Sequence, residues 1–182
     1  MRRFERMILD FLNVLERMGI DYVIIGGVAV SSWGNPRTTT DLDVIVALKN
    51  ENMDELCRNL HEAGFSIDKN DLEDSFKEKT HFSIFDKYSE YHADVKGVYD
   101  KFDALTVRNR VLVPYEGHNM CIASAEDTIA HKLLFGGYQD VKDAESILLR
   151  QSELDMGYLE ELCGELGVLD ELEIIKKRIK DL

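Results

Sequence analysis

Gly26-Gly27-Val-Ala-Val-Ser-Ser-Trp33-Gly34-Asn-Pro36-Arg37-Thr-Thr-Thr-Asp41-Leu42-Asp43-Val44-Ile-Val46 is the stretch on which the reading of the chain turns. Just before it, Asp21 to Gly26 is short and β-branched, which predicts a buried strand ending at the glycine pair. Val28 to Trp33 reads as a short helix closed by Gly34, and Asn35-Pro36 as an extended or turn segment. Asp41 to Ala47 is a second strand. Residues two apart on a strand share a face, about 6.6 Å between α-carbons, so Asp41 and Asp43 converge while Leu42, Val44 and Val46 face the other way. Two carboxylates about 4 to 5 Å apart repel by a few kcal/mol at an effective dielectric near 20, a cost that a divalent cation removes. Oxygen-only ligation with open positions favours magnesium or manganese. At Gly26-Gly27, free backbone N–H groups and the positive end of the helix suit phosphate oxygens, which no β-carbon obstructs. In isolation Asp-x-Asp is more often a solvated strand end, and Gly-Gly is as often a tight turn. Their succession is what points to chemistry.

Working outward, residues 2 to 18 carry Phe4, Met7, Ile8, Phe11, Leu15 and Met18 at helical spacing, stopped by Gly19. Glu51 to Ala63 is a helix capped by Gly64. Thr80 to Phe85 and Tyr91 to Val98 flank a polar link and predict an antiparallel hairpin. On its second strand His92, Asp94 and Lys96 share a face. Asp94 is the expected third carboxylate, completing a metal site and accepting a proton from an incoming hydroxyl as general base; His92 and Lys96 are read as solvent-facing. Residues 106 to 123 predict a second hairpin. From Ser124, an N-cap with Asp127 in the first turn, the pattern is helical, with further helices near Asp140 to Arg150, Asp155 to Leu166 and Asp170 to Lys180. The expected fold is α/β (α+β): a mixed β-sheet core over 1–123 flanked by helices, with a helical region over 124–182 packed on it.

Composition narrows the function. A length of 182 residues, 45% apolar, suits one compact domain, or a core domain plus a small helical appendage. The formal net charge of −13 repels polyanions, which argues against a broad nucleic-acid-binding surface. No apolar run reaches the roughly 20 residues of a membrane span, and Met1-Arg2-Arg3 leads into amphipathic sequence, so a cytoplasmic location without membrane contact is expected. Cys57, Cys121 and Cys163 form no close pair and read as ordinary core or surface residues. His61, His81, His118 and His131 lack ligand spacing, and Trp33 is expected to pack the short helix against the core.

The glycine pair at a strand end, the short helix closed by Gly34, and Pro36-Arg37-Thr-Thr-Thr-Asp41-Leu42-Asp43 together resemble the polymerase-β-type nucleotidyltransferase superfamily. The likeness covers roughly residues 5 to 150 and is strongest to small prokaryotic proteins related to the nucleotidyltransferase toxins of abortive-infection systems. It implies magnesium held by Asp41, Asp43 and Asp94. Many members carry a triphosphate-contacting serine where this chain has Gly27, so backbone donors are expected to serve instead. Ala125-Glu-Asp-Thr-Ile-Ala-His-Lys132 resembles the helix whose lysine contacts the triphosphate, and Asp140-Val-Lys-Asp143 resembles the acidic motif that follows. Read from the residues alone, Lys132 snorkels to solvent at the edge of an apolar stripe, and Asp140 and Asp143 stabilise a helix amino terminus. Arg37 either clamps a phosphate bidentately or pairs with a surface carboxylate.

The resemblance therefore implies a magnesium- or manganese-dependent nucleotidyltransferase that uses ATP or another nucleoside triphosphate. Its nucleotide-binding set would be Gly26, Gly27, Arg37, Lys132, Asp140 and Asp143, and its acceptor a tRNA end, a small molecule or a protein hydroxyl. The alternative from another class is a non-catalytic nucleotide- or metal-binding regulator with a protein partner, as in a toxin–antitoxin pair. A phosphohydrolase using the same carboxylates on water is a third.

Overall fold

A computed structural model of the chain describes residues 3–49 and 52–181; the expected helix starts at Arg2 and Glu51 lie outside the described residues. In chain order the elements are α1 (Phe4–Arg17), β1 (Tyr22–Ile24), α2 (Gly26–Trp33), β2 (Asp41–Val46), α3 (Met53–Glu62), β3 (Phe65–Ser66), α4 (Lys69–Glu78), β4 (His81–Asp86) and β5 (His92–Gly97). Then follow α5 (Lys101–Arg108), β6 (Val111–Tyr115), β7 (His118–Ile122), α6 (Ala125–Phe135), α7 (Tyr138–Arg150), α8 (Met156–Leu166) and α9 (Leu169–Lys180). The chain forms two compact units, Met1–Ile25 with Thr39–Ile122 and Gly26–Thr38 with Ala123–Leu182.

The first unit holds a mixed sheet in the order β3-β4-β5-β2-β1-β7-β6. Pairing is parallel for β2 with β5 and β1 with β7, and antiparallel elsewhere. β1 is buried along its whole length, as expected for a β-branched run in the middle of a sheet. Its neighbour β2, and β5 beyond that, instead alternate, with Leu42, Val44, Ala93 and Val95 at 1% exposure or less. Burying each such valine or leucine contributes about 1.5–3 kcal/mol, which fixes the strand face that looks inward. α1 buries Met7, Ile8, Phe11, Leu12 and Leu15, and Phe11 meets Phe65 edge-to-face at 5.8 Å. Pro114 lies in β6, an edge strand, where its missing N–H costs no ladder bond.

Two helices were not expected. α4 is mostly charged and buries only Leu72 and Ser75, so its apolar period is faint; its signal is Asp68, whose side chain accepts hydrogen bonds from the backbone N–H groups of Asn70 and Asp71. α5 replaces the start of the expected second hairpin, and Val107, read as a strand residue, is on the buried side of this helix. Asp100 caps it in the same way, by accepting from Phe102 and Asp103. The remainder, from Val111 to Ile122, is the antiparallel hairpin.

The second unit is helical. Ser124 caps α6 by accepting from the Asp127 N–H, and Gly136 ends it at φ 65°. Gly26 opens α2 at φ 62°, a left-handed conformation that side chains resist. The other end of α2 closes on α7: a β-carbon on Gly34 would lie 2.3 Å from Ser146 Oγ and 3.2 Å from the Ile147 backbone nitrogen. Trp33 donates its indole N–H to the Ala123 carbonyl at 2.8 Å, half-buried as expected of an amphipathic anchor.

Candidate active site

Strand register brings the carboxylates together. In the parallel ladder Asp43 lies opposite Asp94, and Asp41 opposite His92. In the antiparallel ladder Ser83 lies opposite Asp94, and Phe85 opposite His92. One face of the sheet thus carries two rows, Asp43-Asp94-Ser83 and Asp41-His92-Phe85, while the apolar alternates face the core. One carboxylate oxygen from each of Asp41, Asp43 and Asp94 lies within 4.8 Å of the others, all three partly exposed.

Each acid has its surroundings. Burial disfavours the charged form of Asp41, but the Thr39 hydroxyl at 2.7 Å, backbone N–H groups and the charge of His92 outweigh it and hold the carboxyl below its ordinary range. Asp94 accepts from the Ser83 hydroxyl and faces His92 Nε2 at 3.4 Å. Phe85 stacks on the His92 ring at 5.6 Å, so His92 is partly covered rather than simply solvent-facing. Lys96, next on the same face, turns away from the acids to pair with buried Asp103 at 2.8 Å. The three carboxylates face one another across neighbouring strands. Their oxygen-only donor set, open to solvent on one side, fits a hard divalent cation such as magnesium or manganese.

In the second unit Lys132 does not snorkel. Its side chain is 12% exposed, with Nζ at 2.7 Å from Asp140 and 3.4 Å from Asp143. Asp143, itself buried, also accepts from Arg37 Nη1 at 2.9 Å and from Gln139 Nε2 at 2.8 Å. Arg37 is thus paired with a carboxylate, and with a buried one rather than the surface one expected. The loop carrying it is held by bonds from the Asn35 and Arg37 N–H groups to the Ser146 and Ser31 hydroxyls. Gly26 and Gly27 sit in the first turn of α2.

The profile of the family described as aminoglycoside-2''-adenylyltransferase matches residues 7–145, well over half of the sequence. The chain belongs to that family. This aminoglycoside-2''-adenylyltransferase family member is also similar in fold to several solved structures. The crystal structure of ANT(2'')-Ia in complex with adenylyl-2''-tobramycin has a TM-score of 0.58 at 14% identity, covering 90% of this chain and 96% of that one. The lincosamide antibiotic adenylyltransferase LnuA, lincomycin-bound, has a TM-score of 0.52 at 14% identity, over 80% of this chain and 98% of that one. An antigenic nucleotidyltransferase-like protein from Paracoccidioides brasiliensis has a TM-score of 0.52 at 16% identity, over 94% and 92%. A search of curated proteins finds no match. The superfamily inferred from the glycine and aspartate motifs is thus the right one, while the narrower likeness to abortive-infection toxins receives no support. Among the described residues, no helix is long and apolar enough to cross a membrane.

Among the residues that touch the singled-out ones of this aminoglycoside-2''-adenylyltransferase family member, Thr39, Ser83, Asp103 and Gln139 were not anticipated from sequence. Ser83 was within reach, since a hairpin register around residues 86–91 places it opposite Asp94. Asp103 was not, because it comes from a helix the sequence pattern concealed.

Proposed function

We propose that this family member is a divalent-cation-dependent nucleotidyltransferase that moves a nucleoside monophosphate, with ATP as the donor, onto a hydroxyl of a small cationic acceptor. The carrying observation is the convergence of three carboxylate oxygens within 4.8 Å on one sheet face. In the reaction the acceptor oxygen bonds to the α-phosphorus, the bond from that phosphorus to the bridging oxygen breaks, and pyrophosphate leaves. Asp94 takes the proton of the acceptor hydroxyl, a role that contributes about 10²–10⁴-fold when the base is well placed. Magnesium or manganese held by Asp41, Asp43 and Asp94 would supply neutralisation of the phosphate charge. Thr39 supports this reading by keeping Asp41 ionised and oriented.

Gly26, Gly27, Arg37, Lys132, Asp140 and Asp143 form the proposed nucleotide-binding set. Lys132 and Arg37 each retain donors beyond those given to Asp140 and Asp143, and these are suited to triphosphate oxygens. The small-molecule acceptor is supported by antibiotic-modifying relatives of the same fold, one captured with an adenylylated aminoglycoside and one with lincomycin. A net charge of −13 favours a cationic acceptor over a nucleic acid.

The test is pyrophosphate release from ATP and magnesium with tobramycin or lincomycin as probe acceptors, comparing wild type with Asp94→Asn. Acceptor-dependent release that falls by about 10²–10⁴-fold in the variant is expected. Failure of calorimetry to detect binding of any nucleoside triphosphate would sink the proposal.

A further inference from the structure

The geometry points to Ser83 as a positioning residue that fixes the carboxylate plane of Asp94 for cation binding, an inference that rests on Asp94 being a cation ligand. The final torsion of an aspartate is broad, so a carboxylate on an open sheet face has no preferred plane of its own. A hydrogen bond to one oxygen removes that freedom and leaves the remaining lone pairs available. Ser83 supplies such a bond from the strand on the far side of Asp94 from Asp43.

Ser83 is also well held. It is the direct cross-strand partner of Asp94, where side chains are closest. Its neighbours Phe82 and Ile84 point to the other face and are 6% and 1% exposed. A one-residue slip of β4 would turn both out to water, so the register that aims Ser83 at Asp94 is secured by apolar burial. His92 Nε2 lies at 3.4 Å from the other oxygen of Asp94, longer than an ordinary hydrogen bond, and its ring is stacked on Phe85. The serine hydroxyl is therefore the anchor.

The experiment is a manganese titration followed by electron paramagnetic resonance of the free ion, on the full chain with wild-type, S83A, S83T, S83V and D94N sequences. Groups that orient a metal ligand typically govern 10–100-fold in affinity, so S83A and S83V should weaken manganese binding by about tenfold or more while S83T stays within about threefold. Threonine and valine match in shape and strand preference, so their difference isolates the hydroxyl even if S83A folds poorly. The proposal is overturned if S83V binds manganese as wild type does while D94N binds weakly, or if S83T is weakened as much as S83V. Unchanged binding by D94N would instead remove the cation reading of Asp94 itself, and the role of Ser83 with it.

Discussion

Replacing Asp43 by asparagine should make the metal-free protein more stable and the metal-bound protein less so. At 4.8 Å and an effective dielectric near 20, two carboxylates repel by about 3.5 kcal/mol, and Asp43 faces two of them. All three are partly exposed, so water and salt reduce the net relief to about 1–2 kcal/mol. For a chain of this length that corresponds to a rise of roughly 2–8 °C in melting temperature. Asparagine keeps the shape and one acceptor oxygen. Adding manganese at about 100 times its dissociation constant should stabilise wild type by about 2.7 kcal/mol, and Asp43→Asn should lose most of that gain. Differential scanning calorimetry with and without chelator reads both effects. A variant that melts below wild type in chelator, yet gains as much from manganese, would refute the view of these acids as a strained, cation-seeking group.

Other consequences are more local. Asp143→Ala removes the buried acceptor shared by Arg37, Lys132 and Gln139. Because Lys132 keeps Asp140 and Arg37 can reach water, the loss should be about 2 kcal/mol in urea unfolding rather than the 3–5 of a fully isolated buried charge. Gly34→Ala forces a β-carbon against Ser146 and the Ile147 backbone and should cost about 1–3 kcal/mol, with Gly34→Ala/Ser146→Ala recovering only part, as thermal melts would show. Asp41 has a folded-state pKa below its unfolded value, so its contribution to stability is present above the unfolded value and is lost as pH falls through the lower, folded one. Asp41→Asn should accordingly flatten the metal-free stability curve below about pH 4, measured by acid titration of the circular dichroism signal.

The face on which each acid lies follows from sequence alone, because strand alternation has a period of two and the apolar partners Leu42, Val44, Ala93 and Val95 can only be the buried set. The same holds for the Ser124 cap, the hairpin around residues 86–91 and the glycine that opens α2, each set by a local rule. Which strands become neighbours is not local. β2 and β5 are about fifty residues apart in the chain, and their parallel pairing, which sets Asp43 beside Asp94, depends on the order of the whole sheet. Helices α4 and α5 escaped notice because neither carries a strong apolar stripe; short caps at Asp68 and Asp100 mark them. The partners of Lys132 and Arg37 were likewise hidden. A long charged side chain reaches either solvent or a carboxylate according to what folding brings within a few ångströms, and here α7 brings Asp140 and Asp143. Local periodicity thus determined what each element presents, and long-range packing decided which of those groups meet.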